Sequence, residues 1–80
     1  MFCVYILKSL KDNGFYFGHS ADAQKRLKEH NALKVRSTKA RVPFILHYSE
    51  SFSTKSEAFQ RKMFFKSLES RNFLKQENII

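Results

Sequence analysis

The sequence predicts an α/β (α+β) fold, a three-stranded antiparallel sheet flanked by helices, with elements in the order β-β-α-β-α-α. Three observations carry the prediction. Two short apolar runs rich in β-formers flank a cluster of turn residues near the start of the chain. A third run, with period-two alternation, follows the single proline. Segments with helical spacing lie between and after the strands, and packing them on a sheet is the economical way to bury both patterns.

Phe2 to Leu7 reads as the first strand. Lys11-Asp12-Asn13-Gly14 is turn chemistry, because Asn and Gly tolerate positive φ. Phe15-Tyr16-Phe17-Gly18 then makes the second arm of a β-hairpin. Ser20 and Asp22 are helix-start residues, and Ala23, Leu27 and His30 recur at helical spacing before Asn31, a residue suited to a left-handed stop. Ala32 to Val42 is basic and unpatterned and reads as a loop. Pro43 can open the third strand, in which Phe44, Leu46 and Tyr48 alternate with Ile45, His47 and Ser49. Thr54 and Glu57 fit a capping box, and the helix they open carries Ala58, Phe59, Met63, Phe65 and Leu68. Ser70 can cap a last short helix through Phe73 and Leu74.

Composition narrows the class. The 80 residues make one domain at most, spanning 1–80. Nine Phe and three Tyr supply large apolar pieces for a small core. Fifteen Lys and Arg against seven Asp and Glu give a formal charge of +8, which favours a polyanion as partner. Cys3 is the only cysteine, so no internal disulfide can form and a cytoplasmic location is expected. No stretch approaches the roughly 20 apolar residues of a membrane span, and the start of the chain lacks the pattern of a signal peptide, so no membrane partner is expected.

Candidate chemistry concentrates in the hairpin, the first helix and the basic loop after it. Tyr5 and Tyr16 lie on the two arms of the hairpin and share a face if the pairing register allows. Arg26 and His30 are four residues apart, one above the other on the first helix, and Arg offers a planar fork that matches phosphate oxygens. Lys25 and Lys28 on that helix, with Lys34, Arg36, Lys39 and Arg41 in the loop, form a dense basic run that can neutralise phosphates. Ser37 and Thr38 lie among them and can donate to phosphate oxygens. No Walker loop, dinucleotide fingerprint or zinc-spaced Cys/His cluster is present. Cys3 is read as a small core residue rather than as a nucleophile partnered by His19, His30 or His47.

Together these pieces resemble the GIY-YIG nuclease superfamily in its small stand-alone form, similar to the nuclease domain that makes the 3′ incision in bacterial excision repair. Cys3-Val4-Tyr5 stands where the family has Gly-Ile-Tyr, and Tyr16-Phe17-Gly18 where it has Tyr-Ile-Gly. The stretch Arg26 to Asn31 resembles the family's first helix, and the likeness runs through about Lys66. The resemblance implies metal-dependent endonuclease chemistry, the hydrolysis of DNA phosphodiesters with one Mg²⁺ or Mn²⁺, with DNA favoured over RNA. It casts Tyr5 as general base, Arg26 as phosphate clamp, Tyr16 as a group positioning water or phosphate, and His30 as a proton-transfer or phosphate-contacting group. It also places Lys62 where relatives carry the metal-binding Glu, and an ammonium cannot ligate a divalent cation. Lys62 then becomes a phosphate contact, and Glu57 is the nearest acid that could substitute as ligand. Three functions are open on this reading: an active endonuclease, a non-catalytic nucleic-acid-binding module, or a subunit that contacts another protein through exposed Phe.

Overall fold

A computed structural model describes all 80 residues. Its strands are β1 (Phe2–Ser9), β2 (Phe15–Ser20) and β3 (Phe44–Phe52), and its helices are α1 (Ala23–Asn31), α2 (Lys55–Lys66) and α3 (Ser70–Gln76). The sheet is antiparallel in the order β2-β1-β3, which is the predicted architecture. β1 is the central strand, and Cys3 to Leu7 are buried without a break. A central strand covered on both faces has no solvent side, so its sequence runs apolar instead of alternating.

The two faces of β1 feed two cores. Val4 and Ile6 pack with Phe65, Leu74 and Ile79 from the α2 and α3 side. Tyr5 and Leu7 pack with Phe44, with Tyr16, Ala23 and Leu27 gathered around them from β2 and α1. The sheet is therefore sandwiched, with α1 on the Tyr5 face and α2 with α3 on the other.

The third strand departs from simple alternation. A bulge opposite Ile6 and Leu7 makes Tyr48 pair with Ile6 and Leu46 pair with Leu7, leaving His47 as the extra residue. Phe44 and Leu46 consequently face α1, whereas Tyr48 turns to the opposite core and packs against Phe65. A one-residue shift in register moves every later side chain to the other face.

Several boundaries also differ from expectation. Asp22 alone caps α1, accepting from the Lys25 N–H at 3.0 Å, and Ser20 ends β2. The left-handed residue after α1 is Leu33, with φ 65°. Asn31 is still helical, and its side-chain amide clamps the Phe44 backbone by donating to the carbonyl at 2.9 Å and accepting from the N–H at 2.7 Å. In the hairpin turn Asn13 holds the positive φ, 60°. Thr54 caps α2, accepting from the Glu57 N–H at 3.2 Å. Such a cap stabilises a helix by about 1 kcal/mol. That helix stops at Lys66, so Leu68 lies beyond it and is 79% exposed. Ser70 sits inside α3 and donates back to the Phe65 and Ser67 carbonyls, closing the end of α2 instead of capping its own helix.

One close approach sets the geometry of the Tyr5 face. Tyr5 pairs with Gly18, and a Cβ added to Gly18 would stand 2.4 Å from Tyr5 Cζ and 2.5 Å from its Oη. The ring lies across β2 in the space that a side chain would fill. Gly18→Ala should force the ring away or strain both strands, at a cost in the usual overpacking range of about 1–3 kcal/mol. The melting temperature should fall by roughly 10 °C, given about 4–8 °C per kcal/mol in a domain of this size. Adding Tyr5→Leu to Gly18→Ala should recover most of the loss, as read by thermal unfolding.

Candidate functional site

The register that seats Tyr5 on Gly18 also pairs Leu7 with Tyr16, so the two tyrosines share the α1 face of the sheet. They are diagonal neighbours rather than directly opposite. α1 then lays His30 over this face. Tyr5 Oη lies 3.3 Å from His30 Nε2, and the Tyr16 and His30 rings meet edge to face at 4.9 Å between centroids. Tyr5 and His30 are fully buried, whereas Tyr16 stays half open to solvent.

Arg26, one turn before His30, completes the group. Its guanidinium stands beside the Tyr5 hydroxyl and also donates to Glu29 Oε1 at 2.9 Å. Both members of the Arg26–Glu29 pair remain about one-third exposed, so the pair steers the side chain more than it stabilises the fold. The four residues singled out as catalytic, Tyr5, Tyr16, Arg26 and His30, are thus brought together around one spot.

Burial sets the protonation states. It pushes the Tyr5 phenol above its usual value, and the Arg26 charge offsets only part of that rise. Burial also pushes His30 below the usual histidine range, with the Arg26 charge adding to the effect and Glu29 opposing it. At neutral pH the pair is therefore a neutral phenol facing a neutral imidazole.

Thr38 is the member that the sequence disguises. Its place in the basic loop suggests a hydroxyl available to phosphate, yet it is fully buried, with Oγ1 2.7 Å from His30 Nδ1. A turn of 3-10 helix at Lys39–Arg41 comes after it and turns it inward. Gly18 stands in the sequence only as the end of a tripeptide, and its space for the Tyr5 ring emerges only from the pairing.

The basic residues divide into separate groups. Lys25, Lys28, Lys34, Arg36 and Lys39 are exposed. Arg41 is tied down instead, donating to Asp12 Oδ2 at 2.8 Å, and this bond holds the Asp12 carboxyl down to about 2. Lys62 lies on α2, against the sheet face opposite Tyr5. Its ammonium sits 5.3 Å from the Phe59 ring centroid, and Phe59 in turn packs on His19 of β2. Burial, followed by the charges of Lys62 and Lys55, pushes His19 below the usual histidine range. Lys62 therefore groups with His19 and Phe59, not with Tyr5 and Arg26.

The expected divalent ion finds no ready cage. Mg²⁺ and Mn²⁺ take oxygen ligands, chiefly carboxylates. Glu29, the acid within the site, is bonded to Arg26, and Glu57 is held in its capping box by the Thr54 hydroxyl at 3.0 Å. No group of three His, Cys, Asp or Glu stands close enough to enclose a metal. The donor set does not fit a resident divalent ion.

Known proteins share this architecture. The family described as the GIY-YIG catalytic domain matches residues 1–78. A UPF0213 protein of Bacillus licheniformis is 46% identical over 69 residues, 85% of this chain and 70% of its own length. The UPF0213 protein YazA of Bacillus subtilis is 48% identical over 80% of this chain and 65% of its own length. Among solved structures, the solution NMR structure of a UPF0213 protein from Bacillus halodurans is 32% identical. It superposes with a TM-score of 0.54, covering 95% of this chain and 84% of that one.

The division among the basic residues can be read from salt dependence. Replacing Arg36 and Lys39 together by Ala should lower the slope of log affinity against log salt for double-stranded DNA by about 1.8, from about 0.9 per neutralised phosphate. Arg41→Ala should lower the melting temperature while changing the slope by well under the roughly 0.9 of one phosphate contact, because its guanidinium already serves Asp12. A slope change of about 0.9 in Arg41→Ala, half that of the double variant, would show that Arg41 also reaches phosphate.

Proposed function

Since the chain belongs to the GIY-YIG family, we propose that it is a nuclease acting on nucleic acid, DNA in preference to RNA, which hydrolyses a phosphodiester bond at the Tyr5 face. The observation that carries this reading is the 3.3 Å contact between Tyr5 Oη and His30 Nε2, with the Arg26 guanidinium alongside.

The proton path follows from the neutral pair. A phenol raised by burial supplies little standing phenolate. Tyr5 acts instead as a relay, its oxygen taking a proton from the attacking water as its own proton passes to His30 Nε2. The water oxygen bonds to phosphorus, the bond from phosphorus to the leaving sugar oxygen breaks, and that oxygen leaves with the electron pair. The imidazolium then returns its proton through Tyr5 to the leaving oxygen or to solvent. Arg26 binds the phosphate oxygens, on which charge builds in the transition state. Tyr16, half open beside His30, orients the phosphate or the water. Lys25, Lys28, Lys34, Arg36 and Lys39 draw the polyanion to this face.

A second reading has its own support. Lys62 stands where the resemblance places a metal-binding Glu, and the donor set offers no carboxylate cage. On that reading the same surface binds nucleic acid without cutting it.

A nicking assay on branched and linear DNA, with Mg²⁺, with Mn²⁺ and with EDTA, separates the two. Cleavage is expected from the wild type, with a loss of at least about 100-fold in Arg26→Ala, the scale set by removing one transition-state donor. The sign of the pH dependence comes from His30. Its pKa is lowered, so it is neutral and able to accept a proton near pH 7 and becomes protonated only as pH falls below the usual histidine value of about 6.5. Activity should fall along that acid limb, and the limb should vanish from the residual rate of His30→Gln. Binding without nicking under every metal condition would leave the non-catalytic reading standing.

A further inference from the structure

The tautomer of His30 can be read from the hydrogen bonds around it. At one end, Tyr5 Oη faces His30 Nε2 and the Arg26 guanidinium. A guanidinium only donates, so the phenol proton has an acceptor only if Nε2 is bare. At the other end, Thr38 Oγ1 faces His30 Nδ1 at 2.7 Å and the Val35 carbonyl at 3.3 Å. A carbonyl only accepts, so a Thr38 proton given to Val35 leaves the hydroxyl oxygen free to accept an Nδ1–H. The Tyr5 end selects the tautomer, and the Thr38 end supplies the acceptor that it needs. The proton order runs from Tyr5 to His30, to Thr38, to the Val35 carbonyl, with the Arg26 guanidinium beside the phenol. No buried side-chain polar atom in the protein lacks a partner.

We propose that Thr38 is a positioning residue that holds His30 as the Nδ1–H tautomer and so keeps Nε2 bare to take the Tyr5 proton. This rests on the nuclease reading for its consequence, though not for its geometry. The opposite tautomer would present Nε2–H to Tyr5. The phenol proton would then face two donors, and the relay would have no acceptor. Thr38 is enclosed by protein. It acts through the ring, as the partner of a histidine's second nitrogen generally does. The order of the loop that carries it serves that role: Thr38 is enclosed while Lys34, Arg36 and Lys39 around it stay in solvent.

The test uses the whole chain with ¹⁵N-labelled histidine. Long-range ¹H–¹⁵N spectra at neutral pH distinguish the two tautomers directly. Wild-type His30 should show a protonated Nδ1 and a bare Nε2. Thr38→Val keeps the shape of the side chain but removes the acceptor, and should shift His30 toward the other tautomer. Thr38→Ser should restore the wild-type pattern. In the nicking assay Thr38→Val should lower kcat by about 10- to 100-fold with KM little changed, the usual scale for a residue that orients another. Thr38→Ser should stay within a few-fold of wild type. A wild-type His30 protonated at Nε2, or a Thr38→Val spectrum identical to wild type, would overturn the proposal even if the enzyme cuts DNA. If the wild type fails to cut, the nuclease reading fails alone, and the spectra still decide the role of Thr38. Should Thr38→Val not fold, Thr38→Ala takes its place, with the same shift in tautomer expected and an unchanged spectrum overturning the proposal.

Discussion

Tyr5 can lie across β2 only because residue 18 has no side chain. The ring occupies the volume above Gly18, with its hydroxyl only 2.5 Å from where a Cβ would be. Everything on that face takes its position from this contact. The hydroxyl is carried over β2 toward α1, where His30 meets it, and burial then sets the protonation of both groups. Protein interiors are too densely packed for a phenol ring and a methyl group to share that volume, so the pairing of an aromatic with a glycine across two strands is a single structural unit.

The opposite face does different work. There Val4, Ile6, Phe65 and Leu74 make an apolar core closed by the second and third helices. Arg61 crosses that side, donating to Glu50 Oε1 at 2.8 Å with its guanidinium near the rings of Phe64, Phe65 and Phe73. Burial works to raise the Glu50 carboxyl, but hydrogen bonds from Arg61 and Tyr48 outweigh it and hold the group low. The Glu50 contact in turn pushes the Tyr48 phenol up to about 12. One tyrosine is thus locked against a carboxylate for structure, and another faces a neutral imidazole. The difference between them comes from the partner that each strand face provides, not from the residue type.

Much of this is legible in the sequence because the signals are local. The hairpin is announced by Asn13-Gly14 between aromatic runs, and the second long helix by Thr54 with Glu57. Arg26 and His30 on one helix face, and both tyrosines in one hairpin, place the candidate site without coordinates. The features that escape depend on partners far along the chain. The bulge at His47 sends Tyr48 and Leu46 to opposite cores, and only the register with β1 reveals it. Thr38 looks like one more polar loop residue because its partner, His30, lies in a different element. Arg41 looks free for phosphate, but Asp12 is 29 residues away and claims it. Lys62 looks like part of the site because of its place in the resemblance, yet its helix packs on the side of the sheet away from Tyr5.

If Tyr5, Tyr16, Arg26 and His30 form the working site, nucleic acid must meet the chain where they converge. The most direct measurement is an NMR titration of the protein with a short DNA duplex, following the Arg26 guanidinium, the His30 ring nitrogens and the Tyr16 ring. These signals should shift together and saturate with one affinity, and Arg26→Ala should weaken that affinity. Shifts confined to the second helix around Phe59 and Lys62, with Arg26 and His30 unmoved at saturation, would contradict this placement of the site.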